Sequence, residues 1–162
     1  MFAAFHYQHQ IRDYLLQLKY GEATWVANCL CHSAGTPFFS HQTLPEALLP
    51  VPLHASRLKQ RGFNQAIEIA ATWSRIHDIA LDVTALKRIR ATPSQSGLDA
   101  NQRRRNLKQA FTYSTNPGYR HVAIVDDVVT TGATADAITD LLHQAGVEFV
   151  EIWALARTVR LK

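Results

Sequence analysis

The apolar positions of this chain fall into short runs with two different periods. Ile11, Leu15, Leu16 and Leu18 recur at near-helical spacing, so residues 8–19 are predicted to be a helix, with Gly21 as a stop signal. Residues 23–34 read as a second, weaker helix ended by Gly35 and Pro37, and residues 38–44 as a loop. A short apolar strand punctuated by prolines follows at 47–52 (ALLPVP), then a polar loop at 53–62 that carries Arg57, Lys59 and Arg61. Residues 63–73 form an amphipathic helix with Phe63, Ala66, Ile67, Ala70 and Ala71 suited to packing, and His77 and Asp78 sit where it should end. A β run around Val83, Ala85, Leu86 and Ile89 lies within 81–89 and is broken by Pro93. Residues 92–101, rich in Ser, Gln, Gly and Asp, read as an exposed, mobile loop. A short helix at 102–110, a short strand at 111–114 and a turn at Asn116, Pro117 and Gly118 come next. A final strand is predicted at 147–156, after a C-cap signal at Gly146.

The most informative stretch is HVAIVDDVVTTGATADAITDLL, residues 121–142. An apolar run from Val122 to Val125 ends in Asp126 and Asp127, then come Thr130, Thr131, Gly132, Ala133 and Thr134, then a helical pattern. Buried strand, tight loop and helix start are predicted in that order. A helix start offers unpaired N–H groups and a positive dipole end, which suits a phosphate. Gly132 lets backbone approach a ligand closely, and the threonine hydroxyls are further donors. The two carboxylates would repel a bare phosphate, so they belong on hydroxyls or on a divalent cation. The alternative is that Asp-Asp and Thr-Thr-Gly only cap a helix and turn a loop. The G-x-x-x-x-G-K-[ST] and G-x-G-x-x-G patterns are both absent.

Alternating strands and helices predict an α/β fold with a mostly parallel sheet flanked by helices. At 162 residues the chain is expected to be a single domain. No apolar run reaches the roughly 18 residues of a membrane span. The first residues lack the pattern of a secretory signal, so the expected location is cytoplasmic. The formal net charge is +4, and the excess is concentrated. Lys87, Arg88, Arg90, Arg103, Arg104, Arg105 and Lys108 stand against one acid, Asp99. Three adjacent arginines cannot share one helix side, so at least one of Arg103, Arg104 and Arg105 should face solvent. Cys29 and Cys31, with His32, lack the second ligand pair of a structural zinc site, so zinc is not expected.

Residues 122–134 resemble the phosphoribosyl pyrophosphate (PRPP) signature of type I phosphoribosyltransferases. Three further segments narrow the resemblance to the ComF family of competence-related proteins, which includes GntX-like members. They are LPVPLHASRLKQRGFNQA at 49–66, TPSQSGLDANQRRRNLKQAF at 92–111 and IRDYLLQLKYG at 11–21. The resemblance covers nearly all of the chain and implies a type I phosphoribosyltransferase-like fold with an N-terminal helical hood over residues 1–45. The N-terminal zinc module common in that family would lie before this chain. The implied ligand is PRPP with Mg²⁺. Its 5′-phosphate would lie on Thr130, Thr131, Gly132, Ala133 and Thr134, and its ribose or the metal on Asp126 and Asp127. The pyrophosphate would lie on Lys59, Gln60, Arg61 and Gly62. A flexible loop carrying Gln95, Arg103, Arg104 and Arg105 would close over the site.

The implied chemistry is transfer of the phosphoribosyl group with release of pyrophosphate, in a protein linked to competence and DNA uptake. The alternative is a non-catalytic PRPP sensor that binds single-stranded DNA or a DNA-processing partner. No residue announces itself as a general base. Lys19 is either a ligand contact or a solvated lysine at a helix end. Asn64 and Gln65 either cap a helix or contact ligand. Arg157 either faces the site or lies on the surface. The arginine run is a solvated face, a lid, or a surface for single-stranded DNA.

Overall fold

The structure is a computed structural model, and it describes residues 1–20, 25–34, 43–90, 107, 109–114 and 118–158. The elements in chain order are β1 (Phe2–His6), α1 (His9–Lys19), α2 (Trp25–Ser33), β2 (Ala47–Pro50), α3 (Ala55–Arg61), α4 (Gln65–His77), β3 (Ala80–Leu81), β4 (Leu86–Arg88), β5 (Phe111–Tyr113), β6 (His121–Val129), α5 (Ala133–Gln144) and β7 (Phe149–Arg157). Among the described residues, five strands form one sheet in the order β1-β7-β6-β2-β3, and every pair in it is parallel. β4 and β5 form a separate antiparallel pair.

β6 is central because both of its faces are covered. Ala123 and Val125 pack with Leu48, Trp153 and Leu155 against α1, α2 and α4, through Leu18, Val26, Ile69 and Trp73. Val122 and Ile124 pack with Ala47 and Leu49 against Ile138 and Leu142 of α5, and against Phe111. A parallel strand buried on both faces reads as a continuous apolar run, which is why 122–125 stood out in the sequence.

Several sequence boundaries are corrected by the pairing. β6 does not end at Val125: Asp126 still pairs with Ala154, Val128 with Ala156 and Val129 with Arg157. β7 keeps offering partners to the end, so polar residues stay within the strand. The other neighbour stops earlier, at the Pro50–Val125 pair. Beyond it the β2 side of β6 is open, and that opening holds the acidic pair.

The polar loop expected at 53–62 is instead the short helix α3. His54 caps it, its Nδ1 accepting from Ser56 N at 3.3 Å, and Gly62 closes it in the left-handed region at φ 79°. None of its side chains is buried, so it carries no apolar period to read. The β run at 81–89 splits in two. Asp82 accepts from Thr84 N, Thr84 Oγ1 and Ala85 N at 2.8, 2.8 and 2.9 Å, and this turn separates β3 from β4. β1 was not anticipated. It is half-buried, and it pairs Phe2 with Trp153 and Phe5 with Ala156.

Cys29 and Cys31 are free thiols in α2, and burial pushes the Cys31 thiol up to about 12. No helix among the described residues is long and apolar enough to cross a membrane. The loop at 92–101, Gln95, Arg103, Arg104, Arg105, and most of the helix predicted at 102–110 lie outside the described residues.

Candidate functional site

Parallel strands deliver their carboxyl ends to one edge of the sheet, and the loops there are free to bind ligand. At that edge β6 leads into Thr130, Thr131 and Gly132, and α5 begins at Ala133. Gly132 is the N-cap residue with φ 82° and provides no side-chain cap. The turn is held from two sides. Ala133 N donates to Thr131 Oγ1 at 3.4 Å, and Thr158 donates through its N to Val129 O (3.1 Å) and through Oγ1 to Thr130 O (3.2 Å). The result is a cavity of about 40 Å³ lined by Asp126, Val128, Val129 and the whole of 130–135. A water needs roughly 10–15 Å³ by the same measure, so one phosphate group is about the right occupant.

A second cavity of about 140 Å³ adjoins it and shares Asp126 and Thr134. Its walls come from five places: Lys19 at the end of α1, Val51 to Leu53 after β2, Arg57 and Arg61 of α3, Asn64 to Ala66 at the start of α4, and Arg88 of β4. Asp127 completes the floor beside Asp126. Four cations thus surround two carboxylates. Arg88 lies over the Phe111 ring, 5.3 Å from its centroid, which steadies it at the cavity wall. Burial, and then the charge of Arg57, push the Arg88 pKa down, while Asp126 acts in the opposite sense. Two guanidiniums that disfavour one another across a cavity are matched by an anionic ligand.

The carboxylates are partly committed to backbone. Asp126 Oδ1 accepts from Asp127 N at 2.9 Å and Asp127 Oδ1 from Val128 N at 2.8 Å. Burial, then the Asp127 charge, then the hydrogen bond between the two side chains raise the Asp126 pKa well above the ordinary aspartate range. The backbone bond and Lys19 only partly offset this. Among the described residues no group of three or more His, Cys, Asp or Glu could hold a metal by itself. Two adjacent carboxylates fit Mg²⁺ in its usual manner, with the remaining oxygens supplied by substrate and water.

The residues anticipated from sequence are therefore distributed as follows. The 130–134 turn lines the smaller cavity with Asp126, and Asp126, Asp127 and Thr134 line the larger one together with Arg61 and Lys19. Lys59, Gln60 and Gly62 are exposed and do not line either cavity. Arg157 is exposed at the end of β7 and lines neither. Arg57 and Arg88 were legible only as members of basic stretches. The exposed–inward alternation of Lys87 and Arg88 hints that they face opposite ways, but nothing local says which faces a ligand.

Over 160 residues the chain is 39% identical to competence protein F of Haemophilus influenzae, an alignment covering 94% of this chain and 70% of that protein. The chain belongs to the ComF family. It is also 44% identical over 116 residues to the DNA utilization protein YhgH of Escherichia coli O157:H7, and 43% identical to that of Shigella flexneri. These alignments cover 72% of this chain and 51% of each relative, so it spans about half the length of the YhgH proteins. No protein-family model matches the chain. In this ComF chain the RGFNQ element is the α3–α4 junction. Arg61 and Gln65 line the larger cavity, Gly62 makes the turn, and Asn64 caps α4 by accepting from Ala66 N at 3.0 Å. Asn64 Nδ2 also donates to Val51 O at 3.0 Å, tying α4 to the end of β2.

Proposed function

We propose that this ComF-family protein binds PRPP with Mg²⁺, in a phosphoribosyltransferase-like arrangement. The observation that carries the reading is the pair of adjoining cavities that share Asp126 and Thr134. One is a backbone-rich cradle with no basic side chain, and the other is walled by Lys19, Arg57, Arg61 and Arg88. A ligand with a monophosphate at one end, hydroxyls in the middle and a pyrophosphate at the other matches this order. The 5′-phosphate goes to the N-terminus of α5, where N–H groups and the helix dipole receive it. The ribose hydroxyls go to Asp126 and Asp127, which also take the ion. Mg²⁺, when bound, neutralises developing charge on the leaving pyrophosphate. Arg57, Arg61, Arg88 and Lys19 supply the rest of that neutralisation from the wall of the larger cavity. The proposed setting is DNA uptake in the cytoplasm, in keeping with relatives named for competence and DNA utilization.

Calorimetry with PRPP tests the reading. Binding in the micromolar to sub-millimolar range is expected, tighter with Mg²⁺ than without. A folded protein that shows no heat at millimolar PRPP overturns it. Pyrophosphate release in the presence of candidate acceptors then separates a transferase from a sensor that only binds.

A second reading concerns single-stranded DNA. It is favoured by Lys87, exposed on the outer side of β4 and away from the cavities, beside an exposed Ile89 and with Arg90 next in sequence. Such a strip would hold phosphates without reading sequence. Each lost phosphate contact should lower the salt slope of binding by roughly 0.7. Fluorescence anisotropy of a labelled oligonucleotide over a salt series should show weak binding that Lys87→Ala and Arg90→Ala reduce. No binding at low salt removes this reading.

A further inference from the structure

We propose that Gln65 is a positioning residue: its side-chain amide holds the Lys19 backbone and the Arg61 guanidinium on the wall of the larger cavity, and so sets affinity for the pyrophosphate end of the ligand. The ligand half of this proposal rests on the PRPP reading; the clamp itself does not.

Gln65 is the first residue of α4 and only 2% exposed. A buried primary amide needs partners on both of its ends. Nε2 donates to the carbonyl oxygen of Lys19 at 3.1 Å, across 46 positions of sequence. Oε1 accepts from Arg61 Nη1 at 3.4 Å. All three residues line the cavity that holds Asp126 and Asp127.

Each bond meets a specific need. Lys19 ends α1, and the last carbonyls of a helix have no intrahelical partner. Gln65 satisfies the Lys19 carbonyl and pins the end of α1 to the start of α4. The lysine ammonium rides on a flexible four-carbon stem, so where it reaches is set by where its backbone is held. Arg61 ends a helix without a single buried side chain, so packing does little to fix its guanidinium. Capping is not the role of Gln65, because Asn64 already caps α4. One amide therefore registers two cations, from two helices, on the same anion pocket.

The test compares wild type, Gln65→Leu and Gln65→Glu. The glutamate keeps an acceptor for Arg61 but loses the donor to Lys19, and it is the second variant should the leucine fail to fold. Inorganic pyrophosphate with Mg²⁺ probes the larger cavity, and inorganic phosphate probes the cradle. Gln65→Leu is expected to weaken pyrophosphate about tenfold and to leave phosphate within about twofold. In a Lys19→Met background the Gln65→Leu effect should shrink, because the amide then has one fewer cation to place. A separate readout needs no ligand: amide exchange in the last turn of α1 should quicken in Gln65→Leu, while the middle of α4 keeps its protection. Additive effects of the two substitutions would mean that Gln65 touches ligand directly, and would overturn the proposal. So would unchanged α1 exchange together with unchanged pyrophosphate affinity. Wild type that binds neither pyrophosphate nor PRPP ends the ligand reading and the affinity role with it. The exchange measurement still decides whether the clamp exists.

Discussion

Replacing Trp153 by alanine is expected to destabilise the protein by about 3–5 kcal/mol, the cost of removing a large aromatic side chain from a core. Trp153 is fully buried in β7. Its ring meets Trp73 edge-on at 5.9 Å and His77 at 6.0 Å, and its Nε1 donates to Glu151 Oε2 at 2.9 Å. Glu151 is itself buried, with His121 Nε2 at 3.0 Å from its other oxygen. The substitution therefore opens a cavity between β7 and α4 and removes a partner from a buried carboxylate. Domains of this kind have roughly 5–15 kcal/mol in total, so at least about a fifth of the stability is lost. The melting temperature should fall by about 10 °C. Urea unfolding followed by far-ultraviolet circular dichroism checks it, with a lower midpoint and an unchanged slope. Trp153→Phe separates the two contributions: it keeps most of the packing and loses the hydrogen bond, for about 1–3 kcal/mol. An unchanged midpoint in the alanine variant would mean that Trp153 is not at the core.

The second large effect is a stabilisation. Asp126→Asn should raise the stability of the ligand-free protein at neutral pH, by more than the roughly 0.5 kcal/mol typical of surface substitutions. Burial and the neighbouring Asp127 raise the Asp126 pKa well above the ordinary aspartate value. The native state then keeps a proton that the unfolded chain has already released. Stability falls as pH rises wherever the native state binds more protons, so this loss begins at about pH 4 and continues up to the native pKa. Asparagine does not titrate, so the variant should lack that decline.

Other groups act in different directions. The backbone N–H groups of Arg120 and His121, at 2.6 and 3.2 Å, hold Glu46 below its ordinary range. Burial would raise Asp82, but its bonds from Thr84, Ala85 and Tyr119 together outweigh that and lower it. The stability that these two supply is lost only as pH falls through their depressed values, on the acid side of the Asp126 window. Burial lowers His77, whose penalty disappears as pH rises. The difference between wild type and Asp126→Asn cancels all three. Melts from about pH 4 to pH 8 should therefore diverge, with the variant higher at the alkaline end. Under the PRPP reading, stabilisation by PRPP with Mg²⁺ should shrink in the same variant. Parallel pH curves would assign the titration to another group.

The contrast between these two positions shows what each level of structure supplies. Hydrophobic period by itself determined the elements that bury a continuous stripe. Residues 8–19 and 63–73 carry helical repeats and became α1 and α4. The run 122–125 is apolar on both faces and became the core of β6. The order Asp-Asp, Thr-Thr-Gly, helix was legible too, because a strand, a positive-φ glycine and a helix start are local features, and Gly132 does have φ 82°. Elements without a buried stripe were not legible: α3 buries no side chain, and β1 depends on β7 for its hydrogen bonds.

Only the tertiary structure decided which distant residues share a site. Lys19, the Arg57–Arg61 pair of α3, Arg88 and Asp126 come from four helices and strands, and no spacing in sequence relates one element's contribution to another's. Their meeting follows from where β2 stops at Pro50 while β6 continues, and from the long-range bond of Gln65 to Lys19. Local sequence specifies backbone preference and one residue's chemistry. Charge complementarity across a cavity depends on distances that packing alone sets.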